Sequence, residues 1–202
     1  IPLENLKDNL GRRLVEAVRD TGRIGMEYGF KLWGKDPAKA RVKIMGYGNV
    51  AEGAIRAALE KLASVEILNR RHFDHMERYL AGTDILVDAV NRPYHRELEK
   101  EPPLVSAKML KLFKPGSVLV DLISTPANHA GIETMRPTYL KEPYYIVNGI
   151  YHTSLWGWPA MDPFNVSKRY SMQLAPILKR FANSGLENAP PVIQNAVRRL
   201  GR

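Results

Sequence analysis

The residues with the clearest chemical spacing lie in the segment Gly46-Tyr47-Gly48-Asn49-Val50-Ala51, which has the pattern G-x-G-x-x-A. The first glycine of this pattern permits a tight turn, and the second lets the backbone approach a pyrophosphate. The small third residue lets a helix pack closely on a strand. A helix that begins at such a turn directs free N–H groups and partial positive charge at phosphates. By itself the pattern also fits a glycine turn that binds no ligand. The secondary structure on either side distinguishes the two possibilities.

The flanking elements predict a strand, a turn, a helix and a second strand in that order. Val42 and Ile44 alternate in a short apolar run that leads into the glycines. Residues 50–62 have apolar side chains at helical spacing, and residues 64–68 form a second strand-like run. In this context the G-x-G-x-x-A turn predicts a dinucleotide-binding site.

The residues that follow the second strand are Asn69, Arg70 and Arg71. NAD-binding proteins usually carry Asp or Glu about 20 residues beyond the glycines, where it binds the ribose 2′-OH. An amide and two guanidinium groups instead suit a 2′-phosphate, which a carboxylate would repel. The three residues therefore predict NADP(H) rather than NAD(H). The alternative is that the two arginines are solvated loop residues.

The rest of the chain predicts an α/β fold. Apolar strands alternate with helices, which favours a mainly parallel, doubly wound, Rossmann-like sheet with flanking N- and C-terminal helices. Outside the strand–turn–helix–strand segment described above, the sequence predicts helices at 3–33, 106–113, 164–183 and 192–200. It also predicts strands at 83–90, 117–123 and 144–148.

Composition and charge exclude several classes of protein. The 202 residues include no Cys, so disulfides, thiolate nucleophiles and Cys-ligated metals are excluded. The sequence has no apolar run as long as the ~18 residues of a membrane span and no signal-peptide core, so we expect a cytoplasmic protein. The formal net charge of +9 is compatible with nucleic-acid binding. The basic residues are dispersed without interleaved aromatics, however, which argues against that alternative.

Several further motifs in fixed order resemble one known family, alanine dehydrogenase and the related domain of nicotinamide nucleotide transhydrogenase. They are KPGSVLVDLI at 114–123, IETMRPT at 132–138, EPYYIVNGIYH at 142–152 and a long block at 156–188. The turn G-Y-G-N-V-A-x-G-A-I and the basic loop at 69–71 are most similar to the opine-forming branch, carboxyethylornithine synthase. That branch couples a 2-oxo acid to an amino-acid amine with NADPH, whereas alanine dehydrogenases use ammonia and NADH and keep an Asp at the ribose position.

The resemblance implies a cofactor pocket along the carboxyl ends of the parallel strands. The implied contacts with the pyrophosphate are Gly46, Gly48, Asn49 and Val50, and those with the adenosine ribose are Asn69, Arg70 and Arg71. The implied residues near the nicotinamide are Ala89, Val90, Asn91, Leu122, Ile123, Leu155 and Gly157. Trp156 and Trp158 flank Gly157 and are interpreted either as an apolar wall beside the nicotinamide or as packing residues.

The sequence does not identify the catalytic acid–base residues. Where alanine dehydrogenases carry a catalytic Asp followed by Gln-Gly-Gly, this chain has residues 124–130, STPANHA. Thr125, Asn128 and His129 are candidates for proton handling or substrate orientation, with a solvated polar loop as the alternative. His152 aligns with a family histidine and is interpreted as structural. We predict no metal site, because the pair His72 and His75, which shares its segment with Asp74, has no third convergent ligand.

The resemblance also implies a larger enzyme. Only 45 residues precede Gly46, and in this family the substrate carboxylate and the main acid–base groups come from a preceding domain. We therefore predict a connecting helix and linker at 1–38, the dinucleotide-binding domain at 39–160, and helices at 161–202 that contact an N-terminal substrate domain outside this chain. The implied substrates are a 2-oxo acid and an amino acid or amine, and the implied assembly is a homo-oligomer. An NADP(H)-binding regulatory or transhydrogenase-like module is the alternative.

Overall fold

The computed structural model describes residues 5–91, 102–124, 130–185 and 187–196. It divides the chain into two compact units, Val18–Met161 and a second unit made of Ile1–Ala17 with Asp162–Arg202. The predicted catalytic candidates Thr125, Asn128 and His129 lie outside the described residues. Within the described part of the chain, no helix combines the length and the apolar character needed to cross a membrane.

The larger unit contains a six-stranded sheet in the order β2-β1-β3-β4-β6-β5. The first five strands in this order are parallel, and β5 pairs antiparallel with β6 at the edge. The fold is therefore the predicted Rossmann-like α/β fold. The strand bounds are β1 Arg41–Met45, β2 Ser64–Leu68, β3 Ile85–Asp88, β4 Val118–Asp121, β5 Tyr145–Val147 and β6 Ile150–Thr153.

Both faces of this sheet are covered, as a parallel sheet requires. The helices of the larger unit are α1 Val18–Trp33, α2 Asn49–Glu60, α3 Arg70–Phe73 and α4 Glu77–Leu80, with short 3-10 segments at Pro37–Lys39, Ala107–Leu112 and Trp158–Met161. On one face, Gly29 of α1 lies against Val120 and Ile85. On the other face, Leu86 and Leu119 join an apolar cluster with residues of α4 and the Ala107–Leu112 segment.

The predicted helix at 3–33 is wrong in its first half, because α1 begins at Val18. Both the Leu10 and the Arg12 backbone N–H groups donate to the Asp8 carboxylate, at 2.9 Å each. The Leu14 N–H donates to the Leu6 carbonyl 2.8 Å away, which closes a small antiparallel turn. An aspartate that bonds to the backbone this way competes with helix formation, although the spacing of the leucines is helical.

The structure also corrects the predicted strand at 144–148. That segment is the antiparallel edge strand β5, and the parallel strand beside β4 is β6, which the sequence interpretation missed. The two strands are joined by Asn148 and Gly149, whose φ angles are 51° and 76°. Two successive residues with positive φ form the hairpin turn that Asn-Gly favours.

The second unit has its own small core. Its helices are α5 Pro163–Ser184 and α6 Pro191–Ala196. Leu6, Val15 and Ala196 are buried together against Tyr170, Leu174 and Ile177, which are only partly buried. Val166 is buried on α5, whereas Phe164, Met172 and Leu178 are exposed.

Candidate cofactor-binding site

The turn after β1 has the geometry that its glycines predict. The Gly46 N–H donates to the Leu68 carbonyl oxygen at 2.9 Å, which ties the turn to the end of β2. The φ angle of Gly46 is 101°, and a Cβ atom there would lie 2.9 Å from the Ala89 carbonyl oxygen. A larger residue would therefore be strained and would collide with the end of β3. Because the strand order reverses between β1 and β3, the ligand crevice of this fold lies at this point.

Gly48 leaves space at the start of α2. It is the N-cap residue, and a Cβ atom built on it would meet no other atom of the described chain within 4 Å. The Glu52 N–H donates to the Gly48 carbonyl, so the N–H groups of Asn49, Val50 and Ala51 precede the first helical hydrogen bond. A glycine N-cap offers no side chain to those donors. Open space beside free N–H groups fits a dinucleotide pyrophosphate.

Asn69 caps the short helix that carries the two arginines. Its Oδ1 atom accepts from the Arg71 N–H at 3.0 Å, and its own N–H donates to His72 Nδ1 at 2.9 Å. Asn69, Arg70 and Arg71 are exposed, and neither arginine has an ion-pair partner within the described part of the chain. His72 thus completes this cap.

Buried aspartates shape the ends of β3 and β4. Asp88 and Asp121 are paired in register, and both are buried. The Asp88 carboxylate accepts from the Val90 N–H at 3.0 Å, and the Asp121 carboxylate accepts from the Ile123 N–H at 2.8 Å. The sequence-predicted residues at these ends follow directly along the carboxyl edge of the sheet. Ala89 and Leu122 are buried, Val90 and Ile123 are half-buried, and Asn91 is exposed.

The loop after β6 joins this edge. The Ser124 hydroxyl donates to the Leu155 carbonyl at 2.9 Å, which links the ends of β4 and β6. Leu155 is fully buried, while Gly157 is exposed. The two tryptophans beside Gly157 differ in burial. Trp158 is buried, and its Nε1–H donates to the Asp121 carbonyl, whereas Trp156 is 64% exposed. Trp158 is thus a packing residue.

His152 has a structural position, as its alignment implied. It is fully buried, with Nδ1 3.0 Å from the Ile150 carbonyl and Nε2 2.8 Å from the Thr134 hydroxyl. Burial lowers its pKa below the ordinary value of 6.5. A neutral ring that donates from Nδ1 and accepts at Nε2 satisfies both contacts.

The sequence interpretation missed the side chains that surround an open cavity of about 490 Å³ beside the glycine turn. Glu52 and Arg56 line it together with Tyr47, Gly48 and Asn49. The sequence did indicate that Glu52 and Arg56 lie together, because side chains at positions i and i+4 share one face of a helix.

A family model described as "Alanine dehydrogenase/PNT, C-terminal domain" matches residues 70–198. Alanine dehydrogenase of Halomonas elongata is 29% identical over 173 residues, which are 75% of this chain and 45% of that protein. Alanine dehydrogenase 1 of Staphylococcus aureus is 31% identical over 163 residues, which are 72% of this chain and 43% of that protein. The chain spans less than half the length of these relatives.

Two solved structures share the fold. One titled L-alanine dehydrogenase is 22% identical with a TM-score of 0.79, over 97% of this chain and 63% of that one. A transhydrogenase from Sinorhizobium meliloti is 17% identical with a TM-score of 0.72, over 88% of this chain and 59% of that one. The chain therefore belongs to the alanine dehydrogenase/PNT C-terminal domain family.

Proposed function

We propose that this chain is the NADP(H)-binding part of an oxidoreductase that reductively aminates a 2-oxo acid. The observation that carries the proposal is the helical turn Asn69-Arg70-Arg71, which begins where β2 ends and is tied through Leu68 to the glycine turn. The G-x-G-x-x-A turn holds the pyrophosphate, and residues 69–71 select the cofactor.

Hydrogen bonding at Asn69 favours NADP(H). Its Oδ1 atom accepts from the Arg71 N–H within the cap, and its amide NH₂ group can only donate. The exposed guanidinium groups of Arg70 and Arg71 are also donors, and neither is ion-paired with a carboxylate in the described ranges. Donors and positive charge suit a phosphate, whose oxygens accept hydrogen bonds and carry negative charge.

The chain's own role in the reaction is to bind and orient the cofactor. When bound, NADPH supplies the hydride that reduces an imine formed between the 2-oxo acid and an amine. The backbone at Ala89, Val90, Leu122 and Ile123 supports the nicotinamide end. Asn91, Leu155 and Gly157 are the further residues we assign to this end. Thr125, Asn128 and His129 remain candidates for proton handling.

The amine is a second part of the proposal. Alanine dehydrogenases keep an Asp at the ribose position, and Asn69 in that position favours the carboxyethylornithine synthase branch, with an alanine dehydrogenase-like reaction as the alternative. Exposed apolar side chains on α5, among them Phe164 and Met172, suit contact with a substrate domain. We further propose a cytoplasmic homo-oligomer.

Fluorescence titration with NADPH and NADH tests the cofactor assignment. We expect saturable NADPH binding at micromolar concentration, at least tenfold tighter than NADH binding. The double variant Arg70→Ala/Arg71→Ala should lose this preference while its NADH affinity stays nearly constant. Arg12→Ala/Arg13→Ala is the matched control, because it removes the same charge from an adjacent pair in the other unit. Equal weakening of both cofactors in the first variant would contradict the assignment.

An assay with pyruvate, an amino acid and NADPH addresses turnover. We expect no turnover from this chain by itself, because carboxylate capture depends on the substrate domain. The same family model also covers the PNT domain, which favours a transhydrogenase-like module as the second candidate. Restored imine reduction on adding the substrate domain would support the first function over the second.

A further inference from the structure

The cavity beside the glycine turn contains a guanidinium group that the predicted site does not include. Its lining comes from the turn, from the exposed face of α2 and from Ile67 of β2. Ile67 stands two residues before Asn69, so the cavity extends from the turn toward the end of β2 that carries the two arginines.

Arg56 reaches back along α2 toward the turn. Its Nη2 atom lies 2.6 Å from Glu52 Oε1, one helical turn nearer the N-terminus. The Arg56 side chain is 71% exposed, so it is free to change its partner. An ion pair exposed to this degree contributes little to stability, and breaking it therefore costs little.

Glu52 has a second partner that does not depend on Arg56. Arg19 of α1 donates from Nε to Glu52 Oε2 at 2.8 Å, and its Nη2 atom donates to Asn49 Oδ1 at 3.2 Å. These contacts tie Glu52 to α1 independently of Arg56. The pKa of Glu52 is lowered, chiefly by the hydrogen bond from Arg19, so the carboxylate stays ionised. The group of two arginines and one glutamate carries one net positive charge.

We propose that this cavity receives the 2′-phosphate of NADP(H), with Arg56 as a specificity-determining residue that exchanges Glu52 for the phosphate. The inference rests on the proposed NADP(H) preference. It extends the binding site for the 2′-phosphate from residues 69–71 to the outer face of α2. When Arg56 leaves Glu52 for the phosphate, Arg19 remains hydrogen-bonded to Glu52. The Glu52 carboxylate therefore still has a partner.

Calorimetric titration with adenosine 2′,5′-bisphosphate and with 5′-AMP tests the proposal, because the two probes differ only in the 2′-phosphate. We expect Arg56→Ala to weaken binding of the bisphosphate at least tenfold and of 5′-AMP less than twofold. Arg56→Lys should retain part of the affinity, since it keeps the charge. Glu52→Gln should strengthen bisphosphate binding, because Arg56 is then released.

Arg41→Ala is the matched control, since Arg41 is also an exposed, ion-paired arginine but lies at the amino end of β1. It should leave both affinities unchanged. Equal effects of Arg56→Ala on both probes, or no effect, would overturn the proposal while Arg70→Ala/Arg71→Ala could still support the NADP(H) assignment. A wild-type chain that binds both probes equally would overturn the NADP(H) assignment itself and the inference with it.

Discussion

A methyl group on Gly22 would overlap the backbone carbonyl oxygen of Val50, so helices α1 and α2 cross backbone against backbone. Gly53 makes the reciprocal approach to the carbonyl of Arg19. Val50 is the second residue of α2, and the crossing therefore holds the start of the helix that presents its N–H groups to the pyrophosphate.

Gly22→Ala tests this crossing. The added methyl group meets backbone, which cannot move aside as a side chain can, so we expect a loss of about 1–3 kcal/mol in the free energy of unfolding. Gly29→Ala is the control on the same helix, because its nearest neighbour is the Val120 Cγ2 atom at 3.1 Å. There a gain in helix propensity of ~1 kcal/mol offsets the contact. Urea denaturation of both variants gives the comparison, and equal losses would argue against the backbone contact.

Gly48→Ala separates cofactor binding from folding. The φ angle of −111° suits alanine, and the new Cβ atom would meet nothing of the described chain within 4 Å. We expect an unchanged melting temperature and at least tenfold weaker NADPH binding, since the methyl group enters the space assigned to the pyrophosphate. Gly46→Ala should lower both stability and binding. Unaltered affinity in Gly48→Ala would place the pyrophosphate elsewhere.

His152 should make stability depend on pH. Burial lowers the pKa of His152 in the folded chain, so the unfolded chain binds more protons just below pH 6.5. The free energy of unfolding therefore falls as the pH drops through this window, by at most about 1.4 kcal/mol per pH unit from this group. His152→Asn should reduce that slope, measured by denaturation between pH 7.5 and 5.5. An unchanged slope in His152→Asn would contradict a role for this buried ring in the pH dependence.

Ser154→Ala probes the buried carboxylate at the end of β4. The Ser154 hydroxyl donates to Asp121 Oδ2 at 2.7 Å, and a hydrogen bond to a charged acceptor contributes about 1.5–3 kcal/mol. Ser117→Ala is the matched change, because its buried hydroxyl donates to the neutral Thr83 carbonyl at 3.1 Å. We expect that variant to lose only about 0.5–1.5 kcal/mol. Thermal denaturation that ranks the two variants in the opposite order would contradict this reading of Asp121.

Local patterns predicted the fold class and the position of the glycine turn correctly. The turn between β1 and α2 depends on residues that are neighbours in sequence, and alternating apolar runs suffice to indicate a buried parallel sheet. The Asn148-Gly149 hairpin was also readable locally and was missed. The prediction of a helix from Leu3 was wrong for a different reason. The spacing of the leucines gives no information about the hydrogen bonds that the Asp8 carboxylate accepts from the backbone.

The sequence by itself determined the family, the glycine turn and the basic residues that follow β2, because each depends on residue type at short spacing. Only the tertiary structure decided that Arg19 joins Glu52 and Asn49, that Ser154 bonds to Asp121, and that Gly22 meets Val50. The partners in these contacts are about 30 residues apart in the chain. Their proximity arises from how helices cross and strands are ordered, which no local period encodes.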